Sequence, residues 1–341
     1  MKVLTFVIPA YNSEPYLEKC VSSMVHPELL DKLEIIIVND GSKDTTPQIG
    51  QRLCDRYPGT VRLISQENKG HGGALNTGCA AAQGKYLKVI DADDWVQTQN
   101  LPEFVRQLEE TSCDVVLTHY RTIDITTGEI KNWKSFPEAF GREYTFRDVM
   151  ASWRSFDRCL MFHGITYRTE FYHQKGTQLE EHVFYEDHQF ATFPCCRAAS
   201  LLPLDLFIYE YRVGDVNQSV SYTNQLKRIG HTETVIRRMA QDYLALPESD
   251  GKAYAAMKTQ ALLLSYMTTA LLVNPDKKAG RAMGRKLMAA MEALAPEIAA
   301  MAKRKYQVFA GMNHLHIGKT TWDAILASKL YNRLRGNHDF T

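Results

Sequence analysis

Three carboxylates in four positions, Asp91, Asp93 and Asp94, end the apolar run 86–90 in the stretch YLKVIDADDW. At that spacing they repel one another, and the sequence sets no cluster of Lys or Arg beside them. A divalent cation held by one or two carboxylates and bridging substrate phosphates would offset the charge. An EF-hand is excluded, because neither its Gly nor its Glu follows at the required offset. The plainer reading is a solvated acidic turn capping a helix near Leu101, which leaves the repulsion without a reason. Asp40 leaves a second apolar run just before Gly41 and Ser42. It is either part of an ordinary Asp-Gly turn or a carboxylate that accepts hydrogen bonds from a base or ribose. In ENKGHGGALNTG, Gly70, Gly72 and Gly73 match neither GxGxxG after a strand nor GxxxxGK[ST]. Alone they read as a turn, though backbone N–H groups at a helix start there could face an anion.

Such residues need elements to hold them. Apolar runs at 4–8, 34–38, 61–64, 86–90 and 114–117 read as strands, and IIIV lacks polar alternation, as a strand covered on both faces should. Between them, Tyr16, Leu17, Cys20, Val21 and Met24 recur at helical spacing, with Ser13 as a plausible N-cap and Pro15 in the first turn. Leu53, Cys54 and Tyr57 close a second helix, and Ala74, Leu75, Cys79 and Ala82 mark a third. Strand–helix alternation implies right-handed crossovers and an α/β domain with a mainly parallel sheet. In such a sheet ligands bind at the carboxyl ends of strands. The runs stop at Pro9-Ala10-Tyr11-Asn12, at Asp40 and at Asp91-Ala92-Asp93, so these groups share one edge.

Composition narrows the partners. With 341 residues, 45 % of them apolar, the chain can bury a sizeable core. A net charge of +1 gives no global field for nucleic acid. Seven cysteines without a CxxC pair fit neither a disulfide framework nor a zinc knuckle, and a reducing cytosol is the simplest home. The start, MKVLTFVIPAYN, reads as a first strand and not a signal peptide, and no apolar run reaches the ~20 residues of a membrane span. From about 120 to 225 the alternation breaks into an aromatic-rich, irregular half ending in LFIYEYRV; after 226 the chain turns helical, with Pro296 as a break.

Taken together, FVIPAYN, VNDGSKDTT, ENKGHGGALNTGCAAAQGKYLKVIDADDW and FYEDHQF resemble family 2 glycosyltransferases of the inverting, bacterial type, over about residues 3–225. The resemblance implies a GT-A-like, Rossmann-type sheet flanked by helices, with a catalytic domain at 1–225 and a helical C-terminal region at 226–341. Within the domain, residues 1–120 would bind the nucleotide-sugar and 121–225 would supply the acceptor side and the base. It implies a nucleotide-diphospho-sugar donor, most often a UDP-sugar, with Mn²⁺ or Mg²⁺. Pro9, Ala10, Tyr11 and Asn12 would line the nucleotide pocket, and Asp40 would hold uracil or ribose. Lys69, Gly70 and Asn76 fall at a second nucleotide-contacting segment. Asp91, Ala92 and Asp93 resemble the DxD motif, with Asp93 the direct metal ligand and Asp91 towards ribose or donor sugar. Glu186-Asp187 matches the ED motif, which makes Asp187 the base that takes the acceptor hydroxyl's proton. Arg212, with Gln218 and Ser219, would steady the diphosphate or a closing loop. His163 or His188 completing the metal shell is a weaker option against an ordinary structural role. The chain lacks the QxxRW motif of processive synthases, since Ile229 follows Arg228; addition of one sugar, or few, is expected.

Outside the resemblance, Trp322, Leu326, Leu330 and Leu334 form an i, i+4 stripe beside Lys329, Arg333 and Arg335. It reads first as a helix docked on its own body; the alternatives are a homodimer contact or peripheral contact at the inner face of a membrane. The acceptor stays open among glycan, lipid-linked intermediate and protein. Competing readings are a non-catalytic sugar-nucleotide-binding module, which would not need Asp187, and a nucleotidyltransferase, which should carry a Gly- and Lys-rich loop where PAYNSEP stands.

Overall fold

All five expected strands form in the computed structural model, which describes residues 2–215 and 222–327. They are β1 (Leu4–Ala10), β2 (Leu33–Asp40), β3 (Val61–Gln66), β4 (Tyr86–Val89) and, past the short β5 (Trp95–Val96), β6 (Val115–Asp124). The irregular half adds β7 (Ile130–Trp133), β8 (Ile165–Arg168) and β9 (Leu201–Val213). The sheet order is β3-β2-β1-β4-β8-β6-β9-β5, with β7 paired to β6. β3, β2, β1 and β4 are parallel neighbours, whereas β8 enters antiparallel between β4 and β6. β6 and β9 run parallel again, so the sheet is mixed and keeps the direction of β1 in its long strands.

Both faces of β1 and β2 are covered, and every residue of each is buried. Ile35 and Ile37 of β2 share one core with α1 (Leu17–Met24) and α2 (Thr46–Arg56), through Leu17, Val21, Met24, Ile49 and Leu53, and with α4 (Leu101–Glu110) through Phe104 and Leu108. Ile36 and Val38, pointing the other way, meet Ala74 of α3 (Gly70–Ala81). This explains the missing polar alternation in IIIV: each face has its own helix layer, and each buried aliphatic side chain contributes ~1.5–3 kcal/mol. Pro9 is tolerated near the end of a central strand for a local reason. Ile90 N–H donates to Val7, and Pro9, two residues on, faces that same side where β4 has ended.

Two local expectations change. Ser13 does not cap α1, which begins at Leu17 after Tyr16; its carbonyl accepts from Leu17 N–H, and its own N–H donates to Thr46 Oγ1 at 2.7 Å. Gly70, Gly72 and Gly73 are not a turn before α3 but its first turn.

The described chain divides into two compact units, Met1–Gln218 with Pro247–Ala255, and Ser219–Leu246 with Ala256–Thr341. Helices Ile229–Leu244, Lys277–Leu294 and Pro296–His314 belong to the second, and Pro296 starts its helix as a first-turn proline does. Trp322 packs edge-on against Phe309 with ring centroids 5.8 Å apart. Of the stripe expected there, Leu330 and Leu334, with Lys329, Arg333 and Arg335, lie outside the described residues. Among the described residues no helix is long and apolar enough to cross a membrane, and all seven cysteines are free thiols.

Candidate active site

The parallel strands β1, β2 and β4 all end on one edge, which places residues 9–12, Asp40 and Asp91–Asp94 along it. Asn12 adopts φ +49° and ties this edge together: its N–H donates to Ser42 Oγ, and its Oδ1 accepts from Lys43 N–H at 2.8 Å. Tyr11 is half exposed beside the buried Ala10. Asp40 is buried, and its Oδ1 accepts from Gln66 Nε2 at 2.7 Å and from Lys69 N–H at 2.9 Å.

The three acids at the end of β4 take separate partners. Asp94, only 1 % exposed, is no solvated turn residue: Tyr209 Oη donates to Oδ2 at 2.5 Å and Arg212 N–H to Oδ1 at 2.7 Å. Tyr209 Oη also accepts from Asp91 N–H, so β9 holds the acidic turn at two points. Burial, then Asp91 and Asp93, hold the Asp94 carboxyl well above the usual range. Asp93, 40 % exposed, lies with Oδ2 3.7 Å from Arg212 Nη1. Burial and the charge of Asp91 push it up to about 6. The Arg212 guanidinium also pairs with Asp215 at 3.1 Å and lies 4.8 Å over the Tyr16 ring. Gln218 and Ser219 fall outside the described residues.

Asp91 points to a partner that the sequence reading passed over. His71 Nε2 donates to Asp91 Oδ1 at 2.9 Å and Nδ1 to Glu186 Oε1 at 2.5 Å. Burial opposes charge on this ring, yet Asp91 and Glu186 hold its pKa well above the ordinary histidine value; as imidazolium it donates on both sides. Against burial, His71 keeps Asp91 below the usual carboxylate range. Glu186 is 2 % exposed, and its Oε2 has no hydrogen-bond partner among the described residues. Asp187, the first residue of the helix Asp187–Thr192, follows it directly. The Asp187 charge acts on His163 and Tyr211, which also feel Asp91.

Two glycines of α3 make room for this junction. Gly70 has φ +76°, and a Cβ there would lie 2.8 Å from His182 N; one on Gly72 would lie 2.3 Å from Glu180 O and 2.9 Å from Glu186 Cγ. Only a side chain of hydrogen lets the 180–186 segment lie against the helix start. Lys69 O accepts from His182 N–H, and Asn76 clamps Leu179, accepting its N–H and donating to its carbonyl at 3.0 Å each. The Asn76 amide is thereby committed to positioning this segment. His163 packs against Tyr120, Tyr209 and Tyr211, and burial pushes it down to about 4 although Asp91 and Asp187 pull it up.

Among the described residues no three His, Cys, Asp or Glu side chains form a ready metal cage. The donor set still suits a hard divalent ion. Asp93 offers partly exposed carboxylate oxygens in a region of excess negative charge, and Mg²⁺-like ions take one or two carboxylates with substrate phosphates and water.

Residues 5–174 match Glycosyl transferase family 2. The chain belongs to that family. Its curated relatives include the uncharacterized glycosyltransferase EpsJ of Bacillus subtilis, 27 % identical over 62 % of this chain and 61 % of EpsJ. The chain spans between about a third and three fifths of the length of the first curated relatives it matches. The fold is shared with S. aureus TarS 1-349 in complex with UDP-GlcNAc: TM-score 0.66, 17 % identity, 93 % of both chains covered. The mannosyltransferase PcManGT from Pyrobaculum calidifontis, in complex with GDP-Man and Mn2+, overlays with TM-score 0.50 at 18 % identity, covering 92 % of this chain and 86 % of that one. The GT-A-like arrangement of a mixed sheet flanked by helices, with further helices after it, is therefore this chain's fold.

Proposed function

We propose that this chain is a glycosyltransferase that moves one sugar, with inversion, from a UDP-sugar to an acceptor hydroxyl. The observation that carries the reading is the His71 bridge, which couples Asp91, beside Asp93, to Glu186, beside Asp187. Donor-side and base-side groups more than 90 residues apart in sequence are thus fixed relative to each other. We assign the chemistry to residues 1–225, the donor half being 1–120 and the base and acceptor half 121–225.

Asp187 takes the proton of the acceptor hydroxyl as its oxygen attacks the anomeric carbon. The bond from that carbon to the diphosphate oxygen breaks, and the nucleoside diphosphate leaves with the electron pair. Pro9, Ala10, Tyr11, Asn12 and Asp40 line the base and ribose side; Lys69 and Gly70 shape it through their backbone. Arg212 faces the diphosphate from β9. Asp93, with Asp91 behind it, would hold Mn²⁺ or Mg²⁺, which when bound supplies positive charge to the leaving diphosphate. UDP is favoured because a fold neighbour holds UDP-GlcNAc; the GDP-Man neighbour keeps a guanine donor as the alternative to test.

A thermal-shift panel of UDP, GDP, CDP, dTDP, ATP and NAD, each with and without Mn²⁺, tests the reading. A ligand at ~100 times its Kd stabilises by ~2.7 kcal/mol. A UDP shift that needs Mn²⁺ supports the proposal, and a GDP shift reassigns the donor. No shift with any nucleoside diphosphate overturns it. The competing binding-module reading gives the same shift but releases no UDP from a UDP-sugar offered with acceptor glycans.

A further inference from the structure

The near-neutral total hides two strongly charged halves. The unit Ser219–Leu246 with Ala256–Thr341 holds 17 Lys and Arg against 7 Asp and Glu, a net +10; the remaining residues hold 23 against 32, a net −9. Within the basic unit, the helix Pro296–His314 buries Ile298, Ala302, Phe309 and Met312 on one side. About a quarter turn round from them it carries Met301, 45 % exposed, Val308, 47 %, and just past the helix end Leu315, 74 %. At seven-residue spacing these three fall on one line along the helix, ~21 Å long at ~1.5 Å per residue. Arg304 and Lys305 flank that line on its two sides, about 40–60° away at 3.6 residues per turn, both exposed, whereas Lys303 lies round the helix with Nζ 4.0 Å from Glu292. Glu297, the helix's one acidic residue, accepts from the Tyr243 hydroxyl.

An exposed apolar line rimmed by cations is the pattern of a helix lying in a lipid interface, with aliphatic side chains among the acyl chains and lysines reaching back to the phosphates. Other occupants leave part of the pattern without use. A soluble polyanion would engage the cations but keep Met301, Val308 and Leu315 in water. A second copy packed on the same face would set one +10 unit against another. We propose that the helix Pro296–His314 docks on an anionic lipid surface through Met301, Val308 and Leu315, with Arg304 and Lys305 at the headgroups. The inference is independent of the sugar-transfer reading.

The full chain is sedimented with phosphatidylcholine vesicles, with and without about a third phosphatidylglycerol. Binding is expected only to the anionic vesicles and should be released by high salt. Arg304→Glu/Lys305→Glu should weaken partitioning by roughly 100-fold. Met301→Gln/Val308→Gln/Leu315→Gln, which keeps every charge, should also lose most binding. These side chains are exposed, so circular dichroism of both variants should match the parent. No binding to anionic vesicles overturns the proposal. Full binding by the triple-Gln variant also overturns it, leaving plain attraction to polyanions. So does a dimer in analytical ultracentrifugation that Val308→Gln dissolves, which would give the face to a second copy.

Discussion

Replacing His71 by Ala is the most informative single change. It removes two charge-assisted hydrogen bonds, of ~1.5–3 kcal/mol each, and leaves Glu186 buried with neither carboxylate oxygen paired. Breaking a buried pair by deleting one partner costs about 3–5 kcal/mol, much of it from the charge left behind. The expected loss in urea unfolding is therefore about 3–5 kcal/mol for His71→Ala. Glu186→Gln should cost less, because its amide leaves no stranded charge. Once Glu186 is Gln, deleting His71 strands one carboxylate fewer, so the double variant should be more stable than the sum predicts by about 1 kcal/mol or more. Turnover should fall about 100-fold in His71→Ala, since Asp187 adjoins the loosened Glu186 and a ~1 Å misplacement costs that much. Additive stabilities within ~0.5 kcal/mol, or a His71→Ala protein as stable as the parent, would refute the reasoning.

Asp187→Ala should keep UDP binding by calorimetry and lose transfer by several orders of magnitude; equal turnover removes Asp187 as base. Gly72→Ala places a methyl 2.3 Å from Glu180 O and should cost about 1–3 kcal/mol in thermal unfolding, with parental stability contradicting the close packing. Lys88, buried in β4, donates to the carbonyls of His163 and Ile165, and burial pushes it down to about 7 from 10.5. Between those values the unfolded chain binds a proton that the folded chain does not. This lysine's contribution to stability therefore rises with pH, by up to ~1.4 kcal/mol per unit. Lys88→Met should flatten that rise above pH 7 in urea unfolding; an unchanged slope would show that Lys88 stays charged when folded.

The strand ends were legible because two simple rules sufficed: an unbroken apolar run marks a buried strand, and ligands gather where parallel strands stop. Those rules place Asp40, Asp91 and Asp93 on one edge, where the structure has them. What the acids do was less legible. Three adjacent carboxylates suggested a shared cation, yet Asp94 is spent on Tyr209 and Arg212, more than 110 residues away, and local spacing holds no trace of such a pairing. His71 escaped because a lone histidine in a glycine-rich stretch looks incidental. A hint was available, in that three glycines within four residues exceed what a turn needs and imply a close neighbour. Ser13 misled for the opposite reason: a good capping residue was drawn into the loop against Thr46.

The family match ends at residue 174, before Glu186, Tyr209 and Arg212 enter. During synthesis the acidic turn is complete long before the strand that secures it exists. β5, following Asp94 directly, finds its partner only in β9. A nascent chain released at that boundary would have His71 for Asp91 but neither Tyr209's hydroxyl nor Arg212's N–H for Asp94. Contacts of such long sequence separation form late, after the loop-closure cost has been met. The matched stretch thus holds the acidic turn without the strand that secures it, and order there should arrive as β9 joins the sheet.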